Sequence, residues 1–294
     1  MSTELTKRVA VAAIGIPFAL VVIYLGGWAL GAVLAAVAAA ATAELLRLSH
    51  RNGVRGFGLP AVVLAAAPAL LLTGLGSTAV AADWAAGLFV GGALCVAVLS
   101  IFLRGVTGAP LGAAAVTVFA PLLTGGTLAF AVLLRNWPVA SADPATARWT
   151  GPALVLFPLI LTWVSDTAAY AGGRAFGSRK LIPSVSPAKT VEGAISGVVG
   201  TVLAGAVYST SVLEGVLGLP VGLVAGAAIG LVISPVAQLG DLAESLLKRE
   251  AGVKDSGALL PGHGGVLDRF DSLFYTIPVT YWLLSLLPGL AGGS

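Results

Sequence analysis

The run AAGLFVGGALCVAVLSIFL, residues Ala85–Leu103, contains no charged side chain, and neither does VAVAAIGIPFALVVIYL at Val9–Leu25. A helix that crosses a bilayer needs about 20 mostly apolar residues. A water-soluble helical protein would instead carry apolar residues on one helix face and charges on the other. The whole chain is 57% hydrophobic, with a mean hydropathy of +0.99. These features predict an all-α, polytopic membrane protein.

Following the apolar runs along the chain gives about nine transmembrane helices. We predict spans at 9–26, 28–47, 58–75, 84–103, 110–134, 152–172, 192–211, 219–243 and 270–287. If the N terminus is cytoplasmic, Arg135 and Arg148 are the only two of the 16 Lys and Arg residues that face outward. Basic loops are a property of the cytoplasmic side. We therefore expect a multi-pass protein of the cell's inner (plasma) membrane, with its polar motifs facing the cytoplasm.

The polar motifs divide the chain into two regions. Residues 1–150 form N-terminal helices that we expect to serve as scaffold, lipid-facing wall and possible dimer contacts, and residues 151–294 form the catalytic half. The formal charge of +3 matches membrane topology and gives no reason to expect a nucleic-acid partner. A single cysteine, Cys95, excludes an intrachain disulfide and a cysteine-cluster metal site.

The most polar stretch is GDLAESLLKREAGVKDSGALLPGHGGVLDRFDS, residues 240–272. Its first half places four polar residues on one helix face by i, i+3, i+4, i+7 spacing: Asp241, Glu244, Ser245 and Lys248. After the glycine-rich turn, Asp268 and Asp271 have i, i+3 spacing and are expected to project together from the start of the last span. Carboxylate oxygens of this kind suit Mg²⁺, which commonly binds through one or two carboxylates plus substrate phosphates.

A second polar stretch, WVSDTAAYAGGRAFGSRKLIPSVSPAKTVEG, covers residues 163–193. Asp166 and Arg174 share a helix face, and a carboxylate in an apolar helix must be paired or line a wet cavity. Gly172, Gly173 and Gly177 are expected to break the helix and expose backbone amides. Cations and hydroxyls follow that would suit a phosphate group, at Arg174, Arg179, Lys180, Ser184, Ser186, Lys189 and Thr190. The alternative is a loop made basic only by topology.

Two further residues have more than one interpretation. Glu44 lies near the cytoplasmic end of the second span, where it either pairs locally with Arg47 or lines the polar site. His263, in the turn PGHGG, is a general acid or base, a phosphate donor or a simple loop residue. No nucleophile elbow and no GxxxxGK[ST] phosphate loop occurs, so metal-assisted displacement between phosphates fits better than covalent catalysis.

The same residues resemble the integral-membrane phosphatidate cytidylyltransferases, also called CDP-diacylglycerol synthases. The family's C-terminal pattern is matched by SLLKR at 245–249, KDSG at 254–257, LPGHGG at 260–265 and LDRFDS at 267–272. The stretch from Ser165 to Gly193 is similar to the family's second motif, so the resemblance covers roughly residues 163–287. The first half of the chain matches only in hydropathy and in small features such as Lys7, Arg8 and Glu44.

The resemblance implies an all-helical fold, a divalent metal (usually Mg²⁺), a homodimer, and the reaction of CTP with phosphatidic acid to give CDP-diacylglycerol and pyrophosphate. It also implies that Asp241 and Asp268, with Asp271, bind the metal. For the remaining catalytic roles we expect Lys248, Arg249, Lys254 and Arg269. For substrate binding we expect Asp166, Arg174, Ser186, Lys189, Thr190 and His263.

Three other functions were weighed against the sequence. A CTP-dependent polyprenol kinase shares the phosphate and metal requirements, and only the specific C-terminal pattern argues against it. An ion-coupled transporter predicts inverted repeats and charges near the bilayer midplane, whereas here the charges crowd one side and no repeat is found. A noncatalytic scaffold explains none of the intramembrane charge.

Overall fold

The computed structural model describes residues 3–76, 78–138, 144–259, 262 and 264–290. The described chain is helical almost throughout, as the sequence predicts. The helices are α1 Thr3–Leu25, α2 Gly27–Arg51, α3 Gly58–Leu75, α4 Thr78–Leu103, α5 Pro110–Pro121, α6 Phe130–Arg135, α7 Pro144–Phe176, α8 Val191–Tyr208, α9 Leu223–Glu250, α10 Leu267–Phe270 and α11 Leu273–Ser285. Two π-helical segments, Leu122–Gly126 and Ser209–Glu214, extend α5 and α8.

Seven helical segments of the described chain are long and apolar enough to cross a membrane. The first of these segments begins at Gly27 and the last ends at Glu250. In addition, α1 contains a shorter apolar helix, Ala13–Leu25. A helix also occupies the ninth predicted position, but α11 has 13 residues. Because a span needs about 20 residues, the polytopic class is confirmed and the count of nine stays a prediction.

The chain folds into two compact units. The first comprises Met1–Val132 and Leu247–Phe270, and the second comprises Leu133–Leu246 and Asp271–Ser294. In the first unit, α2 packs on α3, α5 and the short helix α10. Its core is made largely of small and aliphatic side chains such as Ala38, Ala41 and Leu64. The C-terminal segment 247–270 thus folds with N-terminal helices, and the functional division proposed at residue 150 stays a prediction.

In the second unit, α7 packs along α8 and α11. Glycines bring α8 close to α9, because a Cβ on Gly205 would meet the backbone of Gly226, and a Cβ on Gly230 would meet the backbone of Thr201. Small residues at helix interfaces let backbones approach in this way. A buried hydrogen bond between the hydroxyls of Ser165 on α7 and Ser234 on α9 adds a polar contact.

The loop after α7 departs from the sequence-based expectation in two respects. Gly172 and Gly173 do not break the helix, since α7 continues to Phe176 and ends directly before Gly177. The close packing of α8 against this part of α7 requires residues without a side chain, because a Cβ on Gly172 would collide with the Ser196 side chain. An antiparallel hairpin then follows, β1 Lys180–Ile182 and β2 Ser186–Thr190. This two-stranded ribbon is the only sheet in the described part of a chain that was predicted to be all-α.

Candidate functional site

Three carboxylates meet in the second unit. Asp241 and Glu244 lie one turn apart on α9, and Asp271 lies in the turn that precedes α11. Each offers a carboxylate oxygen, and the three oxygens lie within 4.8 Å of one another. A hydrogen bond from the Ser272 hydroxyl to the Ala237 carbonyl, at 3.0 Å, fixes the turn against α9. We call Asp241, Glu244 and Asp271 the acidic cluster.

The acidic cluster is charge-compensated by the hairpin. Lys189 on β2 forms an ion pair with Asp241, with 2.6 Å between Nζ and Oδ2. The Ser245 hydroxyl, one turn along α9, donates to the other oxygen of Asp241 at 3.3 Å. Asp166 on α7 interacts electrostatically with both Asp241 and Lys189. The structure therefore brings together Asp241, Asp271, Lys189 and Asp166, which the sequence had placed in two separate motifs.

The other predicted substrate residues of the second unit have individual roles. Arg174 donates from Nη1 to the Tyr170 hydroxyl, one turn earlier on α7, at 3.3 Å, and Arg174 is exposed. Ser186 begins β2 opposite Ile182. Thr190 is buried and caps α8, where its hydroxyl accepts from the Gly193 N–H at 3.2 Å. A substrate-binding role stays a prediction for all of them.

Asp268 lies in the first unit within a dense hydrogen-bond network. Its Oδ1 receives Lys248 Nζ at 2.7 Å, and both side chains are largely buried. Its Oδ2 accepts from the backbone N–H of Ser256 at 2.9 Å and of Gly265 at 2.8 Å, and lies 3.0 Å from the Ser256 hydroxyl. Both oxygens of Asp268 are thus bonded by donors of the chain itself, and its assignment as a metal ligand stays a prediction.

The network keeps Asp268 ionised. Burial raises the pKa of the Asp268 carboxyl, but the hydrogen bonds from Lys248 and from the Gly265 and Ser256 N–H groups, together with the Lys248 charge, outweigh burial and leave the pKa below its usual value. The ion pair is therefore maintained at neutral pH.

Glu44 on α2 belongs to the same network. It is 2% exposed. Its Oε2 accepts from the Ser256 hydroxyl and from the Leu267 N–H, each at 2.8 Å, and its Oε1 accepts from the Val266 N–H at 3.1 Å. The interpretation of Glu44 as a local partner of Arg47 accounts for none of these bonds, and the alternative, a place in the polar network, is the one observed.

The remaining predicted cations are at the surface of the first unit. Arg249, Lys254 and Arg269 are exposed. Arg249 donates from Nη1 to the Val253 carbonyl at 3.0 Å, closing the turn after α9. His263 lies outside the residues that the structure describes, and its role stays a prediction.

No single continuous helix carries both Asp268 and Asp271, and the expectation that the two project together stays a prediction. The helix α10 ends at Phe270, and a turn at Asp271–Ser272 separates it from α11. Because the helix is interrupted, three residues of chain do not amount to one helical turn. The spacing predicted that the two aspartates lie on one surface. In the structure, Asp268 is bonded by Lys248 and by loop N–H groups, whereas Asp271 belongs to the acidic cluster.

Comparison with known proteins relates nearly the whole chain to cytidylyltransferases. A family model described as the cytidylyltransferase family matches residues 6–287. The chain belongs to this family. It is 34% identical over 305 residues to a phosphatidate cytidylyltransferase of Synechocystis sp., an alignment that covers 96% of this chain and 97% of the relative.

Two further relatives of this cytidylyltransferase-family chain align over about half of each protein. A phosphatidate cytidylyltransferase of Bacillus subtilis is 43% identical over 136 residues, covering 46% of this chain and 49% of the relative. One of Haemophilus influenzae is 46% identical over 134 residues, covering 44% of each. Identity is thus higher in these partial alignments than in the full-length one.

The acidic cluster of this cytidylyltransferase-family member has the chemistry of a divalent-cation site. Mg²⁺ takes oxygen ligands at about 2.1 Å, so two ligand atoms on one ion lie up to about 4.2 Å apart. Oxygens within 4.8 Å of one another come close to this limit. Asp241, Glu244 and Asp271 thus offer the kind and spacing of oxygen ligands that a divalent cation takes.

Sequence reasoning missed Glu244 as a member of the acidic cluster and Ser256 as the hydroxyl between two carboxylates. Glu244 carried a signal, since it shares the polar face of α9 with Asp241. Ser256 carried a weaker one: it lies in KDSG, between charged residues and a glycine. Neither spacing nor periodicity could identify the partners of Glu44, because they lie more than 200 residues away in the chain.

Proposed function

We propose that the chain is a phosphatidate cytidylyltransferase that converts CTP and phosphatidic acid to CDP-diacylglycerol and pyrophosphate. The observation that carries the proposal is the end-to-end similarity to a relative of that name, over 96% of this chain. The acidic cluster supports it, because transfer between two phosphate-bearing substrates requires charge neutralisation. The family membership and the membrane-spanning helices support a lipid substrate.

The proposed reaction is an in-line displacement at phosphorus. An oxygen of the phosphatidic acid phosphate forms a bond to the α-phosphorus of CTP, while the bond from that phosphorus to the bridging oxygen breaks and pyrophosphate leaves with the electron pair. The attacking oxygen is already anionic near neutral pH, so no strong general base is needed. Positioning and electrostatic stabilisation therefore supply most of the rate enhancement.

Asp241, Glu244 and Asp271 would hold the divalent cation. When bound there, Mg²⁺ supplies charge neutralisation for the phosphate groups. Lys189 would adjust the charge of the cluster through its ion pair with Asp241 and stays a candidate phosphate ligand. Asp268 remains a sequence-based candidate for the metal, in competition with the observed partner Lys248.

The other predicted roles form part of the same proposal. Exposed cationic side chains suit the oxygens of a triphosphate or a lipid phosphate, and we assign this role to Arg174, Arg249, Lys254 and Arg269. Asp166, Ser186, Thr190 and His263 stay substrate-binding candidates, with Lys248 in a catalytic role. We further propose a homodimer in the cell's inner (plasma) membrane with the reaction on the cytoplasmic side.

Membrane orientation is testable with a single engineered thiol. Leu259 is 64% exposed in the loop after α9, so Leu259→Cys in a Cys95→Ala background offers one accessible site outside the helices. An impermeant thiol reagent should label it in inverted vesicles and leave it unlabelled in intact cells. Labelling of intact cells would contradict the cytoplasmic orientation.

The reaction is tested with two differently labelled forms of CTP. Purified protein in detergent is given phosphatidic acid and a polyprenol in parallel reactions, each with Mg²⁺ and CTP labelled at either the α- or the γ-phosphate. The proposal predicts that α-label enters a lipid product and that γ-label leaves as pyrophosphate. Transfer of γ-label to a polyprenol would establish the kinase alternative, and no transfer by folded protein would contradict both enzymes.

A further inference from the structure

Glu44 is a buried carboxylate whose three observed donors all come from one distant loop. They are the Ser256 hydroxyl and the N–H groups of Val266 and Leu267. Removing a carboxylate from water costs several kcal/mol unless hydrogen bonds or a countercharge compensate it. The loop donors supply that compensation, so Glu44 and the loop depend on each other.

The loop is built to admit the Glu44 carboxylate. Gly257 and Gly265 lie on either side of it: a Cβ on Gly257 would meet Oε1, and a Cβ on Gly265 would collide with Oε2 and with the Ser256 hydroxyl. Side chains at these positions would push Glu44 away. The absence of side chains here is therefore a requirement of the Glu44 contact and not only of the turns.

The same loop holds Asp268. Ser256 donates its N–H to Asp268, and its hydroxyl lies 2.8 Å from Glu44 Oε2 and 3.0 Å from Asp268 Oδ2. A hydroxyl has a single proton, so the Ser256 hydroxyl donates to one carboxylate at a time. Because it lies within hydrogen-bond distance of both Glu44 and Asp268, it couples the positions of the two carboxylates. Gly265 binds Asp268 while its neighbours Val266 and Leu267 bind Glu44.

We propose that Glu44 is a positioning residue for cytidylyl transfer, acting through Ser256 and the 265–267 backbone to hold Asp268 and its partner Lys248. This inference rests on the proposed function. Glu44 itself touches no reacting atom in this account. The geometry points to an N-terminal helix, α2, that fixes the C-terminal motif, so that the divergent first half of the chain contributes directly to turnover.

The primary test compares Glu44→Gln with a matched control, Thr42→Val. Gln keeps the shape but presents an amide NH₂ to donors that need acceptors. Thr42 is also fully buried on α2, and its hydroxyl bonds that of Thr124 at 2.6 Å, away from the loop. We expect Glu44→Gln to lower kcat about 10- to 100-fold, because small displacements of catalytic groups have effects of this size. Its KM for CTP should stay within about threefold, since substrate binding is not its role.

Thr42→Val should retain wild-type kcat while also lowering the unfolding midpoint in detergent, because it loses a buried hydrogen bond. Equal losses of kcat in the two variants would overturn the proposal, because Glu44 would then act only through general stability. Ser256→Ala provides a second variant should Glu44→Gln fail to fold. It removes the shared hydroxyl and should lower kcat about 3- to 10-fold, in line with one lost hydrogen bond. Wild-type kcat in Ser256→Ala would also overturn the proposal.

A readout without turnover separates this inference from the proposed function. In a Cys95→Ala, Val266→Cys background, where the side chain at 266 is buried and its backbone N–H to Glu44 is kept, Glu44→Gln should increase the rate of thiol labelling in the loop about tenfold, because the loop has lost the acceptor that orders it. Unchanged labelling would contradict the positioning role. Faster labelling in a chain that performs no cytidylyl transfer would instead show that the loop contact exists and that the proposed function has failed.

Discussion

Lys189 and Asp241 are joined by an ion pair of 2.6 Å that links the β-hairpin to α9 in the second unit. Both side chains are partly exposed, at 26% and 31%. A pair of this exposure is worth little for stability. The ion pair matters instead for the electrostatics of the site. Because Asp241 forms the acidic cluster with Glu244 and Asp271, the positive charge of Lys189 reduces the net negative charge of that cluster.

Replacing Lys189 should therefore change the metal dependence more than the fold. Lys189→Met removes a positive charge from the cluster, so we expect the Mg²⁺ concentration for half-maximal activity to fall about threefold or more. Titration of activity with Mg²⁺ measures this. The control is Lys180→Met, an exposed lysine on the partner strand of the same hairpin. An identical Mg²⁺ dependence in Lys189→Met and wild type would contradict the argument.

The two other members of the acidic cluster should have the opposite effect. Glu244→Gln and Asp271→Asn each remove one anionic ligand, and we expect at least a tenfold higher Mg²⁺ requirement, the size of effect seen when metal-site groups are altered. Glu250→Gln, an exposed acid at the end of α9, is the matched control. If Glu244→Gln kept wild-type Mg²⁺ dependence, Glu244 would have to be removed from the cluster.

Breaking the Lys248–Asp268 pair should reduce stability as well as activity. In Asp268→Asn the largely buried Lys248 loses its countercharge, which costs about 3 kcal/mol when an ion pair is broken from one side. We expect activity to be abolished, and the unfolding midpoint to recover partly when Lys248→Met is added. A lower midpoint in the double variant than in Asp268→Asn would show that Lys248 has a stronger partner elsewhere.

The same pair predicts a direction for the pH dependence of stability. The pKa of Asp268 is lowered in the folded protein. Its contribution to stability is therefore fully present above the unfolded pKa of about 3.9, and it is lost as the pH falls through the lower folded value. Unfolding midpoints measured from pH 7 to pH 3 should fall less steeply in Asp268→Asn than in wild type.

Gly265→Ala should disrupt the loop, because its Cβ would collide with the Glu44 carboxylate and the Ser256 hydroxyl. We expect at least a tenfold loss of turnover, since the displaced loop carries the donors to Asp268. Gly58→Ala, at the start of α3, has open space around the new Cβ and should be neutral. A Gly265→Ala variant with wild-type kcat would mean that the loop adapts without moving Asp268.

The sequence predicted what depends on local pattern. Apolar runs located the helices, and helical spacing placed Asp241 and Glu244 on one face of α9. It could not predict contacts that depend on how distant segments pack. Glu44 bonds Ser256 across 212 residues of chain, and no periodicity on α2 identifies that partner.

Local pattern also misled where the backbone changes direction. The turn at Asp271–Ser272 interrupts the helix that spacing predicted through both aspartates, and α7 runs through Gly172 and Gly173 and ends only before Gly177. In the latter case glycine serves close helix packing against Ser196, a tertiary requirement that the sequence does not distinguish from helix breaking.

The central claim is that the acidic cluster supports cytidylyl transfer to phosphatidic acid. The most direct measurement is α-labelled lipid formed from CTP as a function of Mg²⁺, for wild type, wild type with EDTA, and Asp241→Ala. We expect Mg²⁺-dependent α-label in lipid with equimolar pyrophosphate, abolished by EDTA and by Asp241→Ala in protein that remains folded. Undiminished label in Asp241→Ala at the Mg²⁺ concentration that half-saturates the wild type would contradict it.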